Sequence, residues 1–174
     1  GLSVPYHVTE TIDFRDDASW NLRPGVEIQF DENTGAFIHK AKITAEGTSG
    51  APVVLTGHRE VKGIWKGVLI RGSDSVDNAL EHVTISYAGA DNNFSNAKPA
   101  GLMLDASRGA NSLAVKNCTF SNNGGYGLYA EENLEMDFAE NTLTGNKEGA
   151  ARVHPSVVGM LDTASTYKNN DEDR

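Results

Sequence analysis

Three stretches of the chain align with one another without a gap. They are Leu80-Glu-His-Val-Thr-Ile-Ser86, Val115-Lys-Asn-Cys-Thr-Phe-Ser121 and Phe138-Ala-Glu-Asn-Thr-Leu-Thr144. The alignment sets Thr84, Thr119 and Thr142 at one position and Ile85, Phe120 and Leu143 at the next, at offsets of 35 and then 23 residues. The surplus in the first offset is matched by the polar run from Ala90 to Pro99, which reads as a loop inserted into one repeat. A second series has the same period: Gly67-Val-Leu-Ile-Arg71, Gly101-Leu-Met-Leu-Asp105, Gly127-Leu-Tyr-Ala-Glu131 and Ala150-Ala-Arg-Val-His154. An internal repeat of this length constrains the fold more than any other feature, because one unit cannot bury its own apolar side and must stack on the next.

Within each unit apolar residues alternate with others for three to five positions and then break at Gly, Asn or Asp. That is strand periodicity with turn chemistry at the breaks. No convincing run of helical spacing is present. The Leu-x-x-Leu-x-Leu frame of leucine-rich repeats and the six-residue beat of hexapeptide helices are both missing. The pattern predicts an all-β chain wound as a single-stranded parallel β-helix, with about seven coils at ~23 residues each.

Several segments resemble a known group. Arg23-Pro-Gly-Val-Glu-Ile-Gln-Phe30, Ile43-Thr-Ala-Glu-Gly-Thr48, Ala51-Pro-Val-Val-Leu-Thr-Gly57 and Trp65-Lys-Gly-Val68 look like the start of secreted bacterial right-handed parallel β-helix domains. Asn117-Cys-Thr-Phe-Ser-Asn-Asn-Gly-Gly-Tyr-Gly-Leu128 is similar to the Asn-rich coils of the same pectate-lyase-like superfamily. The resemblance spans roughly residues 12 to 163 and implies a right-handed helix in a secreted or cell-surface protein, extracellular or periplasmic. It implies no single activity, because lyases, hydrolases, epimerases, adhesins and structural modules share the fold. One domain over 1–174 is expected, with an N-terminal cap at 3–13, the inserted loop at 90–99 and a polar tail at 164–174 that frays or continues into a linker.

Composition narrows the partners. With 15 basic and 24 acidic residues the net charge is −9, which disfavours nucleic acid and anionic lipid. No apolar stretch is long enough to insert in a membrane as a helix. The single cysteine, Cys118, rules out an internal disulfide and reads as a small buried residue at a coil corner. His7, His39, His58, His82 and His154 show no zinc spacing, and no nucleophile-elbow or phosphate-loop motif occurs.

Stacking converts the repeat into columns. Val68, Leu102, Leu128 and Ala151 are expected to face inward, with Ile70, Leu104, Ala130 and Val153 two positions on. One outward column then reads Leu69, Met103, Tyr129, Arg152, and the next Arg71, Asp105, Glu131, His154. Asp105 and Glu131 on neighbouring coils would lie ~4.8 Å apart at the backbone, close enough for one carboxyl to have a raised pKa and act as an acid. A paired carboxylate of this kind serves glycoside hydrolysis, and Arg71 and His154 flank it. The same column also reads as an ordinary charged face of cross-strand ion pairs. Tyr129, Met103, Arg152 and Trp65 are the candidate ligand-binding residues, the aromatics as a sugar platform, although Trp65 beside its glycine also reads as a coil-corner packing residue. Asp91, Asn92 and Asn93 in the insertion, one coil after Asp74 and Asp77, offer oxygens for calcium, the only cofactor suggested. Thr84, Ser86, Thr119, Ser121, Thr142 and Thr144 form an outward hydroxyl array of the sort that binds ice. Asn117, Asn122, Asn123, Asn141 and Asn146 read as stacked turn residues.

The leading functional expectation is a non-catalytic extracellular module that binds a polysaccharide or a surface protein, or spaces other domains on a bacterial surface. The alternative is a polysaccharide-active lyase or glycoside hydrolase using Asp105 and Glu131; ice binding is a remote third. A groove walled by the Ala90–Pro99 loop favours the enzyme, and a flat open face favours the module.

Overall fold

A computed structural model describes residues 4–91, 94 and 98–171. The chain visits three parallel sheets in strict rotation. The first holds β1 (Tyr6–Val8), β4 (Glu27–Phe30), β7 (Val53–Gly57), β10 (Val83–Ser86), β13 (Thr119–Ser121), β16 (Thr142–Thr144) and β18 (Thr166–Tyr167). The second holds β2 (Ile12–Arg15), β5 (Ala36–His39), β8 (Val68–Arg71), β11 (Ala100–Asp105), β14 (Tyr126–Ala130) and β17 (Gly149–Val153). The third holds β3 (Ser19–Leu22), β6 (Lys42–Glu46), β9 (Ala79–Glu81), β12 (Asn111–Lys116) and β15 (Leu134–Ala139). Each strand pairs in parallel with the strand three places away, except that β16 pairs with β18. In the last coil a 3-10 helix, Pro155–Met160, takes the place of a third-sheet strand, and Leu161 bridges to Phe138 of β15. The fold is therefore the expected all-β parallel β-helix.

The register follows the repeat. Thr84 sits beside Thr119, Thr119 beside Thr142 and Thr142 beside Thr166. One position on, Leu55, Ile85, Phe120 and Leu143 stack as a fully buried column. Leu80, Val115 and Phe138 do the same in the third sheet. Inward residues thus stack as columns, and the columns together form one continuous core.

Coil corners are held by side chains in place of strand pairing. The Asn146 amide oxygen accepts from the Asn123 backbone N–H at 3.2 Å, and its Nδ2 donates to the Phe120 carbonyl at 3.1 Å. Asn170 repeats the arrangement one coil on, accepting from the Asn146 N–H at 3.0 Å and donating to Leu143 at 3.1 Å. Asn141 accepts from Cys118 N–H at 2.9 Å, and Asn78 from Ile43 N–H at 3.0 Å. Each of these asparagines supplies a buried backbone N–H with an acceptor. Asn117 and Asn122, by contrast, occupy the left-handed region, with φ of 53° and 55°, as turn residues.

Both ends of the described chain carry strands. Within residues 164–171, Thr166–Tyr167 is a strand and Ser165 and Asn170 are buried, Asn170 at 7% exposure where it joins the corner ladder, while Ala164, Lys168, Asn169 and Asp171 are exposed. Residues 4–13 supply β1 and the start of β2, the first rungs of the same stack.

Candidate functional site

The outer face of the second sheet carries both predicted columns. Register pairs Asp13 with Phe37, Phe37 with Leu69, Leu69 with Met103, Met103 with Tyr129 and Tyr129 with Arg152. The next column runs Arg15, His39, Arg71, Asp105. It continues through Glu131, whose N–H donates to the Leu104 carbonyl at 3.1 Å, and His154, whose N–H donates to Ala130 at 2.8 Å.

The two columns change character along the stack. Near its middle they are sealed. Leu69 and Met103 point away from the core yet are fully buried, because Phe94 from the insertion and Tyr126 and Tyr129 pack over them. Met103 is therefore no part of an accessible binding face, and alternation alone gave no sign of its cover. Trp65 is inside the helix altogether: its ring stacks on Phe30 at 4.2 Å and its Nε1–H donates to the Ser86 carbonyl at 2.8 Å. Of the two readings of Trp65, the ligand-binding one is corrected and the packing one holds.

Arg71 and Asp105 form a buried pair. The guanidinium meets Asp105 Oδ2 through Nε at 2.8 Å and more closely through Nη2, and it lies 5.2 Å from the Phe37 ring centre. The other Asp105 oxygen accepts the Ser107 N–H at 2.7 Å. Burial alone would raise the Asp105 pKa, but the Ser107 hydrogen bonds and the Arg71 charge outweigh it and hold the carboxyl below its ordinary range. Asp105 is thereby held ionised by its partners, so of the expected pair it is not the carboxyl with a raised pKa. Glu131 is also engaged, accepting the Ala106 N–H at 3.1 Å on one oxygen and the Tyr129 hydroxyl at 3.1 Å on the other.

Toward the C-terminal end the face opens. Tyr129, Glu131, Arg152 and His154, four of the predicted site residues, line one open cleft of about 520 Å³ together with Glu132 and Pro155. Its wall comes from the start of the 3-10 helix. His154 shapes that wall, since its Nδ1 accepts the Ser156 N–H at 3.3 Å and caps the short helix. With Nδ1 accepting, Nε2 carries the ring proton and faces Glu132 at 3.9 Å. The Tyr129 hydroxyl is pushed toward higher pKa, by burial first and by Glu131 next, so it stays a neutral donor. Arg152 is exposed and makes no ion pair among the described residues. Glu132 and Pro155 were missed in the sequence because both lie beyond strand ends, where alternation assigns no direction.

Of the calcium candidates, Asp91 is exposed and Asn92 and Asn93 lie outside the described residues. Asp77 is committed to Lys42 at 2.6 Å. In the hydroxyl array Ser86 is nearly buried, its Oγ lying 2.9 Å from Thr56 Oγ1. Cys118 is buried, and desolvation drives its thiol pKa to about 12. The histidines do not all stay apart: His7, Asp31 and His58 converge at the other end of the stack.

Comparison with known families agrees with this architecture. The family described as right handed beta helix region matches residues 16–159, and the chain belongs to it. No curated protein and no solved structure matches the chain.

Proposed function

We propose that the chain is a non-catalytic extracellular β-helix module that binds polysaccharide through the Tyr129–Arg152–His154 cleft. One observation carries the reading: the accessible end of the two predicted columns is an open cleft, while Asp105, one of the two carboxylates the enzymatic reading needs, is sealed under Arg71. General acid catalysis needs a carboxyl that still holds its proton near neutral pH, and Asp105 is shifted the other way. Binding makes no such demand. The Tyr129 ring offers an apolar face to a sugar ring, and Arg152, Glu132 and His154 offer donors and acceptors for its hydroxyls.

The charge of −9 disfavours polyuronates, so the ligand class is a neutral glycan. Placement outside the cell rests on the resemblance of the N-terminal coils to secreted bacterial modules. A glycan array tests the proposal. The parent chain is expected to retain a set of neutral glycans, and Tyr129→Ala and Arg152→Ala to lose it. Retention of no glycan, or retention that ignores both substitutions, overturns the assignment.

A further inference from the structure

We propose that His7, Asp31 and His58 form a binding site for a first-row divalent transition ion of the zinc type on the first three coils. The site is independent of the cleft: it lies by the first sheet near its β1 edge, whereas the cleft lies at the β14–β17 edge of the second. His7 is in β1, Asp31 follows the last residue of β4 and His58 follows the last residue of β7. They are 24 and 27 residues apart in sequence, so no local motif announces them. The parallel stack brings them together.

The donor atoms already converge. His7 Nε2 lies 2.8 Å and His58 Nδ1 3.2 Å from the same Asp31 oxygen, and all three lie within 4.8 Å of one another. Around a tetrahedral ion with bonds of about 2.0–2.1 Å, neighbouring donors sit about 3.4 Å apart. To admit an ion the two Asp31 contacts open slightly, and the His7 and His58 nitrogens, at most 4.8 Å apart, draw toward that spacing. Among the described residues no other group of three His, Cys, Asp or Glu side chains offers comparable geometry.

The backbone beneath the site is fixed. Asp31 N–H donates to Val8 at 2.9 Å and His58 N–H donates to Phe30 at 3.0 Å, tying the three coils in register. The Asp31 carbonyl accepts the Thr34 hydroxyl at 2.8 Å, which holds the turn that carries the carboxylate. His58 Nδ1 also faces the Phe30 carbonyl at 3.3 Å. Ligation through Nδ1 requires the ring proton to move to Nε2, a change of tautomer that leaves the imidazole neutral.

The donor set selects the ion. Two imidazole nitrogens and one carboxylate suit zinc, copper, nickel or iron, whereas calcium and magnesium require mostly oxygens. The His7 side chain is 52% exposed, so the remaining coordination positions open to water. Bound there, the ion bridges three successive coils and fastens the exposed first rung to the stack.

Isothermal titration of tag-free full chain with zinc chloride tests the site, with cobalt(II) absorption as a second readout. One equivalent is expected to bind, and His7→Ala and His58→Ala are each expected to weaken binding by more than about tenfold. His154→Ala, at the other end of the stack, should leave it unchanged. Circular dichroism confirms that the variants fold; His7 is exposed enough for its alanine variant to do so even if that of His58 does not. No binding to folded parent chain overturns the proposal and leaves the three residues as a hydrogen-bonded cluster. Binding that survives His7→Ala, or that His154→Ala abolishes, also overturns it.

Discussion

Arg71 and Asp105 are register partners on adjacent coils, and their ion pair is sealed: the two side chains are only 13% and 6% exposed. A pair of this kind is not strong evidence for stability in itself, because desolvation offsets much of the attraction. Removing one member is another matter, since it strands the other charge. Arg71→Ala is expected to cost about 3–5 kcal/mol in urea unfolding. Replacing both residues with apolar ones of similar volume should cost much less. If the single variant unfolds like the parent, the pair is not buried.

The same pair gives a pH signature. Asp105 titrates lower when folded than when unfolded, so its contribution is complete above the ordinary carboxylate pKa. That contribution is lost as pH falls below about 4 and through the depressed folded value. Acid unfolding curves should therefore show a smaller loss of stability below about pH 4 in Asp105→Asn than in the parent. Identical slopes would contradict the ionised, hydrogen-bonded carboxylate.

The core columns predict a cost for single rungs. Phe120 is fully buried between Ile85 and Leu143, and Phe120→Ala should destabilise the chain by about 3–5 kcal/mol in thermal or urea unfolding. Asn146→Leu removes corner bonds instead, leaving the buried Asn123 backbone N–H without its acceptor at about 1–3 kcal/mol. A neutral outcome for Asn146→Leu would mean that the corner asparagines are turn formers only.

Cys118 should be inert. With its thiol pKa at about 12 and its sulfur buried, the folded chain is expected to resist a thiol-specific reagent at pH 8 and to react only after denaturation. Rapid labelling of native protein would place Cys118 outside the corner.

The later coils were legible from residues alone, because Thr84, Thr119 and Thr142 head gapless strands and alternation fixes which neighbours face in. Leu69 and Met103 show where that logic ends. Alternation correctly turned them out of the core, but it gave no sign that Phe37, Phe94, Tyr126 and Tyr129 pack over them, and Phe94 lies in an insertion with no counterpart in other coils. Asn170 looked like solvated tail because a corner ladder is visible only once register is known. The same ignorance of register hid the approach of His7 and His58 to Asp31. Arg71 and Asp105 were already neighbours in the predicted column, and their ion pair is the one that the column's charged-face reading describes. Columns predict who is adjacent; they do not predict what covers them or which partner claims a charge.

The separation of binding from chemistry is tested most directly by incubating the parent chain with each neutral glycan it retains and weighing the glycan by mass spectrometry. Glycans recovered at unchanged length, with Glu131→Gln giving the same result, are the predicted outcome. Shorter fragments produced by the parent and absent with Glu131→Gln would contradict it and make the cleft a catalytic one.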